Sequence, residues 1–256
     1  MSTDSNIEKA ASIIKESKSI VSLTGAGIST SAGIPDFRSP DEGLWQKDPS
    51  KMMLFTDAGF MGDPKDFYEF GRELLPRFQD ARPTLAHRFL SRLEGESKIK
   101  CIITQNIDGL HQKAGSKNVI EVHGGFSTGR CTGGACKREF TLEEMVKEME
   151  EQIPPLCPDC HALIRPNIVL FGEALPEKAY QRAIASLENC DLLLVMGSSL
   201  VVYPVADMPG IAQEHGARLI MINLQPTRYD SHADVFIHLP LDVAVEKLAE
   251  ALGITL

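Results

Sequence analysis

Six short apolar runs, most of them separated by helical patterns, constrain this chain more than any other feature. They are Ile20–Thr24, Cys101–Thr104, Val119–Val122, Leu192–Met196, Leu219–Ile222 and Val235–Leu239. Each is too short for a buried helix and reads as a core strand. Strands alternating with helices imply a parallel sheet covered on both faces, because a parallel crossover needs a long connection, usually a helix. The opening segment reads as a helix: Ser5 and Glu8 fit a capping box, and Ile7, Ala10, Ala11 and Ile14 share a face. The final helix starts near Asp242, carries Val245, Leu248, Ala249 and Leu252 at helical spacing, and stops at Gly253.

Two stretches interrupt this rhythm. Residues 39–87 show aromatics, prolines and helix formers but no convincing strand. Residues 126–165 hold four of the six cysteines around a charged helix, Leu142–Gln152. Both read as insertions into one doubly wound domain of 256 residues, formed by 1–38, 88–125 and 166–256. The fold class expected is therefore α/β, a doubly wound parallel sheet carrying a helical insertion and a cysteine-rich one.

The first strand runs straight into Thr24-Gly25-Ala26-Gly27. Such a turn admits two readings. It is a plain tight turn, or it is a nucleotide phosphate site, where glycines let the backbone approach a pyrophosphate lying at a helix N-terminus. A standard dinucleotide fingerprint would need a third glycine where Thr30 stands and an acidic strand end about 20 residues on. Neither is present, so hydride transfer fits poorly.

Cys131-x4-Cys136 and Cys157-x2-Cys160 form two close pairs joined by a longer loop. Tetrahedral zinc needs four soft donors, and two knuckles supply them; Gly133 and Gly134 would let the first one turn tightly. Four thiolates leave no open position, so the expected zinc is structural. His161, beside Cys160, is the one alternative ligand. Cys101 and Cys190 read as buried packing residues.

The formal net charge of −9 disfavours nonspecific nucleic-acid binding, which runs on clustered lysine and arginine, and is compatible with basic partners. Met1–Ala10 lacks the pattern of a signal peptide, and no apolar run is long enough to span a bilayer. A cytoplasmic location is expected, where regularly spaced cysteines read as metal ligands.

The motifs then converge. Gly25-Ala26-Gly27-Ile28-Ser29-Thr30-Ser31-Ala32-Gly33-Ile34-Pro35-Asp36-Phe37-Arg38 resembles the opening signature of the sirtuins. So do Thr104-Gln105-Asn106-Ile107-Asp108-Gly109-Leu110-His111, Val122-His123-Gly124, the cysteine quartet and Gly197-Ser198-Ser199-Leu200, in family order across nearly the whole chain. The resemblance is strongest to the bacterial and archaeal members and to the core of the eukaryotic deacetylases. Ala32 and Gly125 are minor departures.

The resemblance implies a Rossmann-like domain, a small zinc domain, and NAD and acetylated lysine meeting in the cleft between them. The reaction it implies yields nicotinamide, O-acetyl-ADP-ribose and free lysine. By the same resemblance Gly25, Ala26, Gly27, Thr30, Phe37 and Arg38 form the cofactor loop, with Phe37 screening the reactive carbon from water. Gln105 and the catalytic Asn106 would contact the ribose, and Ile107 and Asp108 the nicotinamide amide. His123, at a strand end, would be the general base, since a neutral imidazole accepts a proton near neutral pH. Gly197, Ser198, Ser199, Asn223, Asp242 and Val243 would line the adenosine end, although the two serines also fit caps and Asn223 a plain strand end. Val169, Phe171, Gly172, Val201 and Val202 lie in segments resembling those that clamp a peptide as an added strand.

Some sirtuins remove acidic acyl groups with a Tyr-x-x-Arg pair. The matching positions here are Gly71 and Leu74, with Tyr68 and Arg72 at a different spacing, so acetyl is expected over succinyl. The rival readings are an NAD-dependent oxidoreductase, a module that only binds ADP-ribose or acyl-lysine, and protein mono-ADP-ribosyl transfer.

Overall fold

A computed structural model describes residues 3–40 and 43–256. In chain order its strands are β1 (Ile20–Thr24), β2 (Ile99–Thr104), β3 (Val119–Glu121), β4 (Gly124–Cys131), β5 (Glu139–Thr141), β6 (Ile164–Ile168), β7 (Leu192–Met196), β8 (Arg218–Ile222) and β9 (Val235–Ile237). Six of them build one sheet in the order β3-β2-β1-β7-β8-β9, every neighbouring pair parallel. Counted along the chain within that sheet, this is the 3-2-1-4-5-6 order of a Rossmann fold. The chain winds outward from β1 in one direction, then returns to β7 and winds in the other. A crevice opens where the direction reverses, between β1 and β7.

The expected burial on both faces is visible along β7 alone. Leu192, Leu194 and Met196 enter a core shared with the helices Thr3–Glu16, Leu85–Gly95 and Leu241–Leu252. Leu193 and Val195 enter the opposite core, against Glu177–Glu188 and Met208–Glu214. A strand with no solvent face has no reason to alternate, which is why these runs are continuously apolar. The first helix begins at Thr3, so Ser5 lies in its first turn and is not its cap. The last helix ends as expected, with Gly253 left-handed at φ 73°.

Residues 124–168 form a second, antiparallel sheet in the order β5-β4-β6, covered by the helix Leu142–Glu151. Thr141 caps that helix reciprocally with Glu144. Phe140, Met145 and Ile164 pack with the cysteines into a small core. Between Leu44 and Asp80 the chain is mostly helical, as its composition suggests, and packs Phe60, Phe67 and Tyr68 against Ile168 and Leu170. The Tyr68 hydroxyl is spent on the Ile164 carbonyl. Among the described residues no helix is long and apolar enough to cross a membrane.

Candidate active site

A cavity of about 630 Å³ lies at the carboxyl ends of the parallel strands, and each strand contributes the residues that follow it. Gly25, Ala26 and Gly27 come after β1, Gln105 to Asp108 after β2, His123 after β3, Gly197 to Ser199 after β7, and Asn223 after β8. Its size suits a nucleotide-sized ligand. Thr30, Phe37, Arg38, Asp242, Val169, Phe171, Gly172 and Val202 also line it. Val201 and Val243 stand outside the lining, 52% and 40% exposed.

The glycine turn has a packing reason of its own. The Gly27 amide donates to the Gly197 carbonyl at 2.9 Å, joining the turns after β1 and β7. A Cβ on Gly25 would sit 2.8 Å from the Gly197 oxygen, and one on Gly27 2.9 Å from the Gly197 Cα. Side chains there would force the two turns apart, at the point where the sheet reverses direction. The helix N-terminus expected after the glycines is absent. Two short 3-10 turns, Ala26–Ile28 and Thr30–Ala32, take its place, and the Thr30 hydroxyl folds back onto the Gly27 carbonyl.

The loop that follows is held by an Asp36 turn, whose Oδ1 accepts the amides of Arg38 at 2.9 Å and Ser39 at 2.7 Å. Phe37 packs on Trp45 with ring centres 4.9 Å apart, and the Arg38 guanidinium lies 4.4 Å over the same indole. Burial pulls the Arg38 pKa down, against the pull of Asp36.

In the cavity wall, Ser29 donates to Asp108 Oδ2 at 2.7 Å, and the Asn106 amide donates to Ser29 Oγ at 3.0 Å and to the same carboxylate oxygen at 3.2 Å. Asp108 Oδ1 accepts the Leu110 amide at 2.9 Å. Gln105 Nε2 reaches Ser198 Oγ at 2.7 Å, tying the turn after β2 to the turn after β7 across β1. Ser29 is the residue that reading by roles overlooked. It sits inside the first motif, but its partners are 77 and 79 positions away.

His123 Nδ1 lies 2.9 Å from the Gln105 main-chain oxygen. A carbonyl only accepts, so Nδ1 carries the proton and Nε2 keeps the lone pair. Burial lowers the His123 pKa, partly offset by that hydrogen bond. The ring is therefore neutral at physiological pH, with a basic nitrogen in the cavity wall. His87 and His111, also buried, are bonded to Thr84 and Thr24 and stand outside the lining. Asp242 Oδ1 is buried at the cavity with no protein partner, an acceptor left for a ligand.

The cysteine quartet gathers as expected. The ligand atoms of Cys131, Cys136, Cys157 and Cys160 all lie within 4.8 Å of one another. Tetrahedral Zn–S bonds of about 2.3 Å require sulfur separations just under ~4 Å, so the four donors fit zinc. A Cβ on Gly133 would come 3.0 Å from Cys160 Sγ and 3.4 Å from Cys131 Sγ, whereas one on Gly134 would meet nothing. Only the first of the two glycines is dictated by the site. His161 is not part of the cluster.

Comparisons with known proteins agree with this arrangement. The sequence model of the Sir2 family matches residues 25–204. An NAD-dependent protein deacetylase of Thermotoga maritima is 42% identical over 95% of this chain and 97% of its own length. Another from Caldivirga maquilingensis is 47% identical over 93% and 90%. Among solved structures, a Sir2 variant with a deacetylated p53 peptide and 3'-O-acetyl ADP ribose superposes at a TM-score of 0.91. It is 41% identical and covers 97% of this chain and 99% of that one. Sir2 with a p53 peptide and NAD+ superposes at 0.89, with 40% identity and the same coverage.

Proposed function

The chain belongs to the Sir2 family, and on that premise we propose that it removes acetyl groups from protein lysines with His123 as the general base. It is an NAD-dependent protein deacetylase, and NAD and an acetylated lysine are its two substrates. The products are nicotinamide, O-acetyl-ADP-ribose and the free lysine. The observation that carries the assignment is the His123–Gln105 hydrogen bond, which places the ring proton on Nδ1 and leaves Nε2 to accept at the strand ends, while burial favours the neutral ring.

When bound, NAD supplies a ribose carbon that the acyl oxygen can attack once nicotinamide leaves. The chain's own part is positioning and proton handling. Gly25, Ala26, Gly27, Thr30 and Arg38 hold the pyrophosphate side of the cofactor, and Gly197, Ser198, Ser199, Asn223, Asp242 and Val243 the adenosine side. Phe37, braced on Trp45, keeps water from the reactive carbon. Gln105 and Asn106 orient the ribose. Ile107 and Asp108 receive the nicotinamide amide, with Asp108 held by Ser29 and Asn106. His123 takes a ribose hydroxyl proton at Nε2. Val169, Phe171, Gly172, Val201 and Val202 receive the peptide backbone.

The division of labour follows the chain. Residues 1–38, 88–125 and 166–256 act as the NAD-binding domain, 39–87 as the helical insertion and cofactor loop, and 126–165 as the zinc domain. Cys131, Cys136, Cys157 and Cys160 would hold the zinc, which contributes folding energy and no chemistry. Thiolate ligands suit a reducing compartment, which supports a cytoplasmic location. Leu74 lines the cavity, and Gly71 does not. An apolar wall there supports preference for acetyl over acidic acyl groups. The test of the overall function is nicotinamide release that requires an acyl-lysine peptide and NAD together.

A further inference from the structure

The loop after β7 forms one side of the cavity mouth without any regular structure to hold it. Residues 197–204 are neither helix nor strand, and Leu200 stands in the left-handed region at φ 51°, a costly conformation for a non-glycine residue. Val202 and Tyr203 both line the cavity, and Tyr203 is 62% exposed. Gln105 on Ser198 and the burial of Leu200 hold the first half of this loop, whereas its exposed Tyr203 end needs a further anchor.

Arg228 provides it. This residue lies outside every motif discussed above, in the segment after β8. Its Nη1 donates to the Tyr203 hydroxyl at 2.7 Å. Its Nη2 donates to the Ala206 carbonyl at 2.6 Å and to Asp207 Oδ1 at 2.6 Å. The same guanidinium lies 5.1 Å from the Tyr203 ring centre and 4.9 Å from that of Tyr229. One planar cation thus bonds to the loop's aromatic, stacks on it and grips the turn that follows. The base of this anchor is itself fixed: Asp230 Oδ1 accepts both the Thr227 amide at 2.9 Å and its hydroxyl at 2.7 Å, and Tyr229 packs against the second core.

We propose that Arg228 is a positioning residue for the acyl-lysine peptide, holding Tyr203 and its loop as a preformed wall of the peptide side of the cavity. This rests on the peptide-binding role given above to Val201 and Val202. The energetics point to the loop and not to the fold. The Arg228–Asp207 pair is 41% and 55% exposed, and such exposed pairs add little to global stability. An exposed loop end, however, sits at the low end of local stability, where interactions this weak decide how often it is ordered. A pre-ordered loop spares the peptide the cost of ordering it. Lysine is no substitute, because it lacks the planar fork that bonds and stacks at once.

The experiment measures steady-state turnover of an acetyl-lysine peptide, anisotropy of the same labelled peptide, and melting temperature, for the parent chain and for Arg228→Gln, Arg228→Lys and Tyr203→Phe. For Arg228→Gln the peptide KM and Kd should rise roughly threefold to tenfold, the loss expected for one or two hydrogen bonds. The NAD KM and kcat should stay within about twofold, and the melting temperature within a few degrees. Arg228→Lys should recover only part of the loss. Tyr203→Phe, which keeps the stacked ring and loses the hydroxyl bond, should fall between the parent and Arg228→Gln. An unchanged peptide Kd in Arg228→Gln overturns the proposal while leaving the deacetylase assignment intact. So does an equal rise in the NAD KM. If Arg228→Gln loses its fold, an unchanged peptide Kd in Tyr203→Phe overturns it instead. A parent chain that binds no acetyl-lysine peptide overturns it together with the peptide site, and a parent that binds without turning over counts against the catalytic assignment alone.

Discussion

His123 donates its Nδ1 proton to the main-chain carbonyl of Gln105 across 2.9 Å. That single bond selects the tautomer, aims the ring and links the residue after β3 to the one after β2. Replacing His123 with alanine should therefore remove a proton acceptor without disturbing the core. Removing a general base costs on the order of 10² to 10⁴ in rate. Acetyl-peptide binding should persist in His123→Ala, and turnover near the parent rate would show that another group takes the proton.

The pH dependence follows from the same ring. Burial lowers its pKa below the ordinary value of 6.5. The base works only when neutral, so the rate falls as pH drops through that pKa and is complete above it. The acid limb of kcat/KM should have its midpoint below 6.5 and should disappear from the residual activity of His123→Ala. A midpoint at or above 6.5 would mean that the imidazole is not desolvated in the free enzyme.

The zinc site offers a sharper test than ligand deletion. The purified chain should carry about one zinc, and replacing any of the four cysteines should destabilise residues 126–165, because a structural zinc contributes folding energy. Gly133→Ala should weaken zinc retention, since its Cβ would press on Cys160 and Cys131. Gly134→Ala should leave retention unchanged. Equal behaviour of the two glycine variants in a chelator titration would contradict the crowding described here.

Asp108 and Ser29 share a 2.7 Å hydrogen bond. If Asp108 receives the leaving amide, free nicotinamide rebinds there and inhibits. Asp108→Asn should weaken both turnover and that inhibition, and Ser29→Ala should do so to a lesser degree, since a hydrogen bond to a charged group contributes about 1.5–3 kcal/mol. An inhibition constant unchanged in a folded Asp108→Asn would argue against the contact.

Leu74 in the cavity wall bears on acyl choice. A carboxylate brought there without a cation loses hydration uncompensated, at a cost of several kcal/mol. Matched peptides should show a higher kcat/KM for acetyl-lysine than for succinyl-lysine. The reverse order would contradict this reading of the apolar wall at Leu74.

The parts legible in the sequence share a physical cause. Strands such as Leu192–Met196 are buried on both faces, so their apolar runs announce them. The cysteines announce their site because metal ligation dictates residue type and spacing. What stayed hidden depends on the fold. Ser29 is an ordinary hydroxyl until β2 brings Asp108 beside it. Arg228 is one more surface cation until Tyr203 arrives from another loop. Ser5 looked like a helix cap because a cap pattern is local, and the helix simply begins earlier. Gly25 and Gly27 are legible as a turn, but their closest constraint is Gly197, 172 and 170 positions away.

The most direct test is mass spectrometry of an acetyl-lysine peptide incubated with the chain, with and without NAD. Loss of the acetyl group should require NAD and be matched one for one by nicotinamide and O-acetyl-ADP-ribose. Peptide that keeps its acetyl group in the presence of NAD, or loses it equally without NAD, would contradict the assignment.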